Sequence, residues 1–282
     1  MSDESLQAIV CCMGQPVAGN PTQFMIERAF VAAGLDWRYL TLEVGPDDLA
    51  AGVAGMHAMG FRGGNFTIPH KVAVIEHLDG LSEAAELMGA VNCIHRVDGK
   101  FHGENTDGKG FVQSLRDVTD PTDKRVVILG AGGAARAIAV ELGLSGVAEI
   151  TIVNRTAERG QELVDLLGKR VKVTSKFVKW DGDYGVEEDV DILINATSIG
   201  LGDATARVSL EYTSLRSEMV VADVIFNPPE TIFLQEAAKR GCTTLDGLGM
   251  LVNQGVIGFK IWTGVDPDPS VMREALEEYL EL

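Results

Sequence analysis

Arg125-Val126-Val127-Ile128-Leu129-Gly130-Ala131-Gly132-Gly133-Ala134-Ala135-Arg136 is the stretch on which the fold turns. Its first five residues are apolar after Arg125, as a strand buried on both faces requires. The next six match the G-x-G-x-x-A form of the dinucleotide fingerprint. Gly130 permits the tight turn out of the strand. Gly132 lets backbone approach a pyrophosphate, and Ala135 is small enough for the following helix to lie close on the sheet. Gly133 and Ala134 open that helix, and Ala131 completes the turn. The N–H groups and dipole at a helix start attract phosphate. A glycine pattern alone is weak evidence; the strand before it and the helix after it give it meaning.

The rhythm continues on both sides. Glu149-Ile150-Thr151-Ile152-Val153, Asp191-Ile192-Leu193-Ile194 and Val220-Val221-Ala222-Asp223-Val224 read as further apolar strands separated by helices. This predicts an α/β fold whose central part is a Rossmann-type doubly wound parallel sheet. The second strand ends in Asn154-Arg155-Thr156, with Arg159 one turn on. An acid there would accept from a ribose 2′-hydroxyl and select NAD, whereas Arg155 and Arg159 suit a 2′-phosphate. The expected cofactor is NADP(H). The chain carries a formal net charge of −17 with 41 acidic and 24 basic residues, so an anionic ligand needs such a local basic pocket. The same field argues against nucleic acid and anionic membranes as partners.

Earlier residues alternate strand and helix. Ala8–Cys12 and Trp37–Val44 read as strands, as does Gly64-Asn65-Phe66-Thr67-Ile68. Pro21–Ala33, with Pro in its first turn, and Asp47–Met59 read as helices, and a third helix begins near His70. Asn92–Val97 and Lys100–His102 flank Asp98-Gly99, a hairpin signal. The tail from Gly249 to Leu282 is helical, broken at Asp266–Pro269. This gives an N-terminal α/β domain, residues 1–107, completed by C-terminal helices, 247–282, that pack back on it. Residues 108–246 form the cofactor domain. The acidic start Met1-Ser2-Asp3-Glu4-Ser5 is unlike a signal peptide, and Cys11, Cys12, Cys93 and Cys242 form no Cys-x-x-Cys pair. Both point to a reduced, cytoplasmic protein. His57, His70, His77, His95 and His102 show no metal-ligand spacing, and His95 and His102 are expected at the surface.

Asn65-x-Thr67-x-Pro69-x-Lys71, Gly89-Ala90-Val91-Asn92, Asn105-Thr106-Asp107-Gly108, the glycine turn, Asn154-Arg155-Thr156, Ile194-Asn195-Ala196-Thr197-Ser198 and Asp246-Gly247-Leu248-Gly249-Met250-Leu251 follow in this order. The set resembles the shikimate dehydrogenase family, over nearly the whole chain. The resemblance implies reversible hydride transfer between NADP(H) and a ring hydroxyl or ketone of shikimate or a related cyclic hydroxy acid. It implies Lys71 and Asp107 as the catalytic pair. Loss of hydride from a carbinol leaves a developing carbonyl, so the hydroxyl proton must leave in step, and the lysine moves it. Thr67, Asn92 and Gln254 would bind substrate hydroxyls, and Thr197, Ser198 and Met250 would lie on the nicotinamide side.

Two departures fall on the side that holds the substrate carboxylate. The family's His-Ser-x-Ser-Pro segment supplies two serine hydroxyls, whereas Gly14–Pro21 here contains no serine, and Phe226 stands where a tyrosine is usual. Hydrogen bonds to a charged group contribute roughly 1.5–3 kcal/mol each, so shikimate binding should weaken unless Asn20 or Thr22 compensates. Quinate, an amino analogue or another cyclic polyol are alternatives. An NADP(H)-binding metabolite sensor without turnover and a methylene-tetrahydrofolate dehydrogenase-like enzyme are the competing classes. Either a monomer or a homodimer fits the sequence.

Overall fold

The computed structural model describes residues 6–282, so the acidic start at Met1–Ser5 lies outside the described residues. The chain divides into two compact units, one of residues up to Thr106 with Gln254–Leu282, the other Asp107–Asn253.

The first unit contains β1 (Ala8–Gly14), α1 (Thr22–Ala32), β2 (Trp37–Glu43), α2 (Leu49–Ala58), β3 (Gly63–Phe66), α3 (His70–Ala73), β4 (Gly80–Leu81), α4 (Glu83–Met88), β5 (Cys93–Val97) and β6 (Lys100–Glu104). Its mixed sheet runs β2-β1-β3-β5-β6-β4. β1 is parallel to both β2 and β3, and β3 is antiparallel to β5. Asp98 and Gly99, at φ 49° and 81°, turn β5 back into β6 as their side chains permit. One face packs Cys11, Met13, Phe66, Ile94 and Phe101 against Leu49, Val53 and Met56 of α2. The C-terminal helices complete the unit. Phe30 meets Phe259 at 5.2 Å between ring centroids, and the Trp262 indole donates to the Ile94 carbonyl at 2.9 Å. α10 (Pro269–Leu280) lies along α1, where Arg28 and Glu278 pair at 3.0 Å.

The second unit contains α5 (Thr106–Arg116) from its second residue on, β7 (Arg125–Leu129), α6 (Gly133–Leu144), β8 (Glu149–Asn154), α7 (Ala157–Leu166), β9 (Thr174–Lys179), β10 (Ile192–Asn195), β11 (Val220–Asp223), α8 (Ile232–Ala238), β12 (Thr243–Leu245) and the start of α9 (Leu248–Thr263), as far as Asn253. The six strands run β12-β11-β10-β7-β8-β9, every pair parallel. Counted within the unit this is the order 6-5-4-1-2-3, the doubly wound arrangement. The sequential order of the strands reverses between β7 and β10, where such sheets open a crevice for ligands.

Local expectations need three corrections. Pro21 stands at the N-cap of α1 rather than in its first turn, and its own side chain makes no capping hydrogen bond. The third helix does begin at His70, as a single α turn followed by a 3-10 turn over Val74–His77. β3 ends at Phe66, so Thr67 and Ile68 stand in the loop beyond it. His95 and His102 are half-buried across a strand pair rather than at the surface, their rings 6.1 Å apart.

Candidate active site

The glycine turn shows which glycines serve packing and which do not. Gly130 has φ +109° and donates to the Val153 carbonyl at 2.8 Å; a Cβ there would lie 3.0 Å from the Ala196 carbonyl oxygen. A Cβ on Gly132 or Gly133 would meet nothing within 4 Å. Packing therefore asks nothing of those two positions, and the open space above them fits an approaching diphosphate. Ala135 is fully buried against the sheet. Beside the turn, a cavity of about 310 Å³ is lined by Ala131, Gly132, Gly133, Arg136, Arg159, Glu162 and Leu163. β8 ends at Asn154, whose amide donates to the Thr156 carbonyl at 2.8 Å and so sets the path of the chain between them. Arg155, Thr156 and Arg159 are exposed at the start of α7. A backbone built for phosphate and exposed arginines at the second strand end suit a dinucleotide carrying a 2′-phosphate.

At the ends of β10 and β11 lies a network of which sequence reasoning caught only one end. The Asn195 side-chain carbonyl accepts from the Thr197 hydroxyl at 2.7 Å and from its N–H at 3.2 Å; its amide donates to Asp223 at 2.9 Å. Asp223 also accepts from the Thr231 hydroxyl at 2.7 Å and from the Ile225 N–H at 3.1 Å. Burial pushes the Asp223 carboxyl up to about 6, even though those three donors and the Val224 N–H pull the other way. This frame fixes the loop carrying Thr197 and Ser198. Phe226 is half-buried just after β11, and Met250 sits in the first turn of α9.

In the first unit, the expected substrate residues cluster at strand ends. The Phe66 N–H donates to the Asn92 carbonyl at 2.9 Å, joining the ends of β3 and β5. Tyr39, Asn65, Asn92 and Thr106 form a buried chain. The tyrosine hydroxyl donates to the Asn65 carbonyl oxygen at 2.7 Å, and the Asn65 amide to the Asn92 backbone carbonyl at 3.0 Å. The Asn92 side chain donates to the Thr106 hydroxyl at 3.0 Å and accepts the Thr106 N–H at 2.7 Å. Asn92 thereby fixes the residue before Asp107, the second residue of α5. Thr67 donates its N–H to the Met13 carbonyl at 3.0 Å, and its methyl would lie 2.3 Å from a Cβ on Gly14. The Lys71 carbonyl accepts from Val91 at 2.7 Å. Burial raises the Cys12 thiol to about 11; the Tyr39 hydrogen bond and the positive charge of Lys71 oppose the rise, so the ammonium lies within electrostatic reach of β1. The Asn20 amide faces that thiol at 3.8 Å, and its carbonyl oxygen accepts the Thr22 N–H at 2.9 Å. Gln254 is buried where α9 enters this unit. Thr67, Lys71, Asn92, Asn20 and Gln254 thus belong to one unit and Asp107, Thr197, Ser198, Phe226, Met250 and the glycine turn to the other.

The doubly wound sheet, the open glycine turn and the polar strand ends define a dinucleotide-dependent α/β enzyme. Three family models match: a shikimate dehydrogenase substrate-binding domain over residues 12–94, shikimate/quinate 5-dehydrogenase over 113–201, and a shikimate 5′-dehydrogenase C-terminal domain over 247–277. A shikimate dehydrogenase (NADP+) of Methanopyrus kandleri is 42% identical over 279 residues, covering 96% of each chain. Among solved structures, a ligand-free 5-ketofructose reductase of Gluconobacter sp. strain CHM43 is 52% identical, covers 97% of this chain and 99% of its own, and superposes with a TM-score of 0.95. A shikimate dehydrogenase in complex with NADP+ gives 40% identity, 96% and 95% coverage and a TM-score of 0.90. The chain belongs to the shikimate dehydrogenase family, and it is an NADP-dependent oxidoreductase.

Proposed function

We propose that this enzyme transfers hydride between NADP(H) and a neutral polyhydroxy ketone of the 5-ketofructose kind in preference to a carboxylate-bearing ring. The observation that carries the proposal is the segment Gly14–Pro21. It has no serine, and the Asn20 that stands there spends its carbonyl on the Thr22 N–H and turns its amide toward the Cys12 thiol. A buried carboxylate without charge-assisted donors is costly, whereas an amide suits a neutral hydroxyl. The 52% identity to a 5-ketofructose reductase supports the same reading. Shikimate itself is the second reading, supported by relatives such as the one from Methanopyrus kandleri.

In the reductive direction NADPH, when bound, supplies the hydride to the carbonyl carbon. Lys71 gives the proton to the carbonyl oxygen as that carbon becomes tetrahedral, and Asp107 orients the same oxygen. Thr67, Asn92 and Gln254 bind neighbouring hydroxyls; Asn20 and Phe226 set what the far end of the substrate carries. Gly130–Ala135 hold the diphosphate, Asn154, Arg155, Thr156 and Arg159 the 2′-phosphate end, and Thr197, Ser198 and Met250 the nicotinamide end. The four cysteines form no disulfide with one another, which supports a cytoplasmic setting. The net charge of −17 supports small molecules rather than nucleic acid as partners. No helix among the described residues is long and apolar enough to cross a membrane.

The test is absorbance at 340 nm with NADPH against 5-ketofructose and 3-dehydroshikimate, and with NADP+ against shikimate and quinate. A kcat/KM for 5-ketofructose at least tenfold above that for 3-dehydroshikimate is expected. The reverse order would reject the neutral substrate in favour of the second reading.

A further inference from the structure

The mechanism above leaves one residue of the glycine-turn region without a role. Arg136, in the first turn of α6, lines the same cavity of about 310 Å³ as Gly132, Gly133 and Arg159. Its Nε is buried and makes no hydrogen bond among the described residues. A guanidinium is always charged and carries five N–H donors, and a buried donor without an acceptor is costly. This chain has 41 carboxylate side chains for 24 lysines and arginines, so acids to pair with are plentiful. Arg136 and Arg159 nevertheless face one cavity with no ion-pair partner among the described residues, and the cavity's single acid, Glu162, pairs with neither. Most other arginines of this unit do find partners: Arg125 pairs with Asp189, Arg240 with Glu236, and Arg216 donates to two backbone carbonyls. The cavity thus brings two permanent positive charges together on its wall.

We propose that Arg136 is a cofactor-contacting residue that binds the 2′-phosphate of NADP(H) together with Arg159, closing the phosphate site from the α6 side. The inference rests on the NADP(H) reading of the site. It assigns 2′-phosphate recognition to residues on both helices that flank the cavity, α6 and α7. Dinucleotide preference would then depend on the fingerprint helix as well as on the end of the second strand. A fork of donors suits the phosphate geometrically, and a second guanidinium adds charge where the chain as a whole is strongly negative.

The experiment is calorimetric titration of the folded protein with adenosine 2′,5′-bisphosphate, which has the 2′-phosphate but no diphosphate, and with ADP, which has the diphosphate but no 2′-phosphate. Wild type, Arg136→Gln and Arg136→Lys are compared, with circular dichroism melts to establish that each variant is folded. The expected result is about a tenfold loss of affinity for adenosine 2′,5′-bisphosphate in Arg136→Gln, partial recovery in Arg136→Lys, and ADP affinity within twofold of wild type throughout. Unchanged affinity for the bisphosphate, or an equal loss for both ligands, would overturn the assignment. Equal wild-type affinity for the two nucleotides would instead refute the NADP(H) reading, so the two failures are separable.

Discussion

Lys71 is partly exposed on a one-turn helix, so replacing it with a smaller residue opens no cavity in the core. Lys71→Ala is expected to lower kcat about 10²–10⁴-fold, the usual worth of a positioned proton donor. Fluorescence titration should show NADPH affinity unchanged; a matching loss of cofactor binding would remove the lysine from the proton-transfer role. Arg155 has the opposite signature. Arg155→Gln should raise the Kd for NADPH about tenfold while leaving the Kd for NADH within twofold, because only the first has a 2′-phosphate. Asp223 offers a test by pH. Its folded pKa of about 6 lies above the ordinary aspartate value of 3.8, so between those values the native state holds more protons than the unfolded one. Its contribution therefore disfavours folding as pH rises from about 4 to 6, and remains constant above. In urea unfolding, the stability of wild type minus that of Asp223→Asn should fall across this window by up to ~3 kcal/mol. A flat difference would mean that the carboxyl is not raised.

Elements of the fold were legible to the extent that their signals are local. The glycine turn, the Asp98-Gly99 hairpin and the apolar central strands β7, β8, β10 and β11 each carry their own instructions. The strands that escaped notice are edge or near-edge ones. β9, Thr-Ser-Lys-Phe-Val-Lys, is mostly half-exposed, and β12 has three residues. With one partner strand and solvent beside it, such a strand needs no continuous apolar run. α4 carries local signals as well: the Ser82 hydroxyl accepts the Ala85 N–H at 3.2 Å and Gly89 ends the helix at φ 63°. The networks at the strand ends are a different matter. Asn195 and Asp223 are 28 residues apart, and Tyr39 and Asn65 are 26 apart, so each looks like an isolated polar residue until the sheet aligns them. Packing between elements yields its own prediction. A Cβ on Gly108 would lie 2.4 Å from the Ala137 carbonyl oxygen, across the contact of α5 with α6. Gly108→Ala should cost about 1–3 kcal/mol in denaturant unfolding, since backbone rather than a flexible side chain must yield. An unchanged midpoint would show that the helices separate at no cost.

Across the whole molecule, charge sets the encounter with the cofactor. At −17 the protein repels NADPH from a distance, although the arginines attract it at close range. Screening shortens the reach of the field from about 30 Å at 0.01 M salt to about 8 Å at 0.15 M. Stopped-flow measurements should therefore show NADPH associating faster as salt rises over this range, the reverse of electrostatic steering. Slower association would mean that the local cations govern the approach.

The chain passes from one unit to the other twice, at Thr106–Asp107 and at Asn253–Gln254, and both passages lie inside helices, α5 and α9. There is no tether to cut. A gene fragment ending at the Asn253–Gln254 border would sever α9 within the helix and leave carbonyls and N–H groups without partners, and one ending at Thr106–Asp107 would part the first residue of α5 from the rest. The two halves cannot be exchanged between relatives as cassettes, nor joined through an inserted spacer, without rebuilding a helix. New specificity in this scaffold is therefore more easily reached by changing single side chains at strand ends, as at Asn20 and Phe226, than by swapping one half for another.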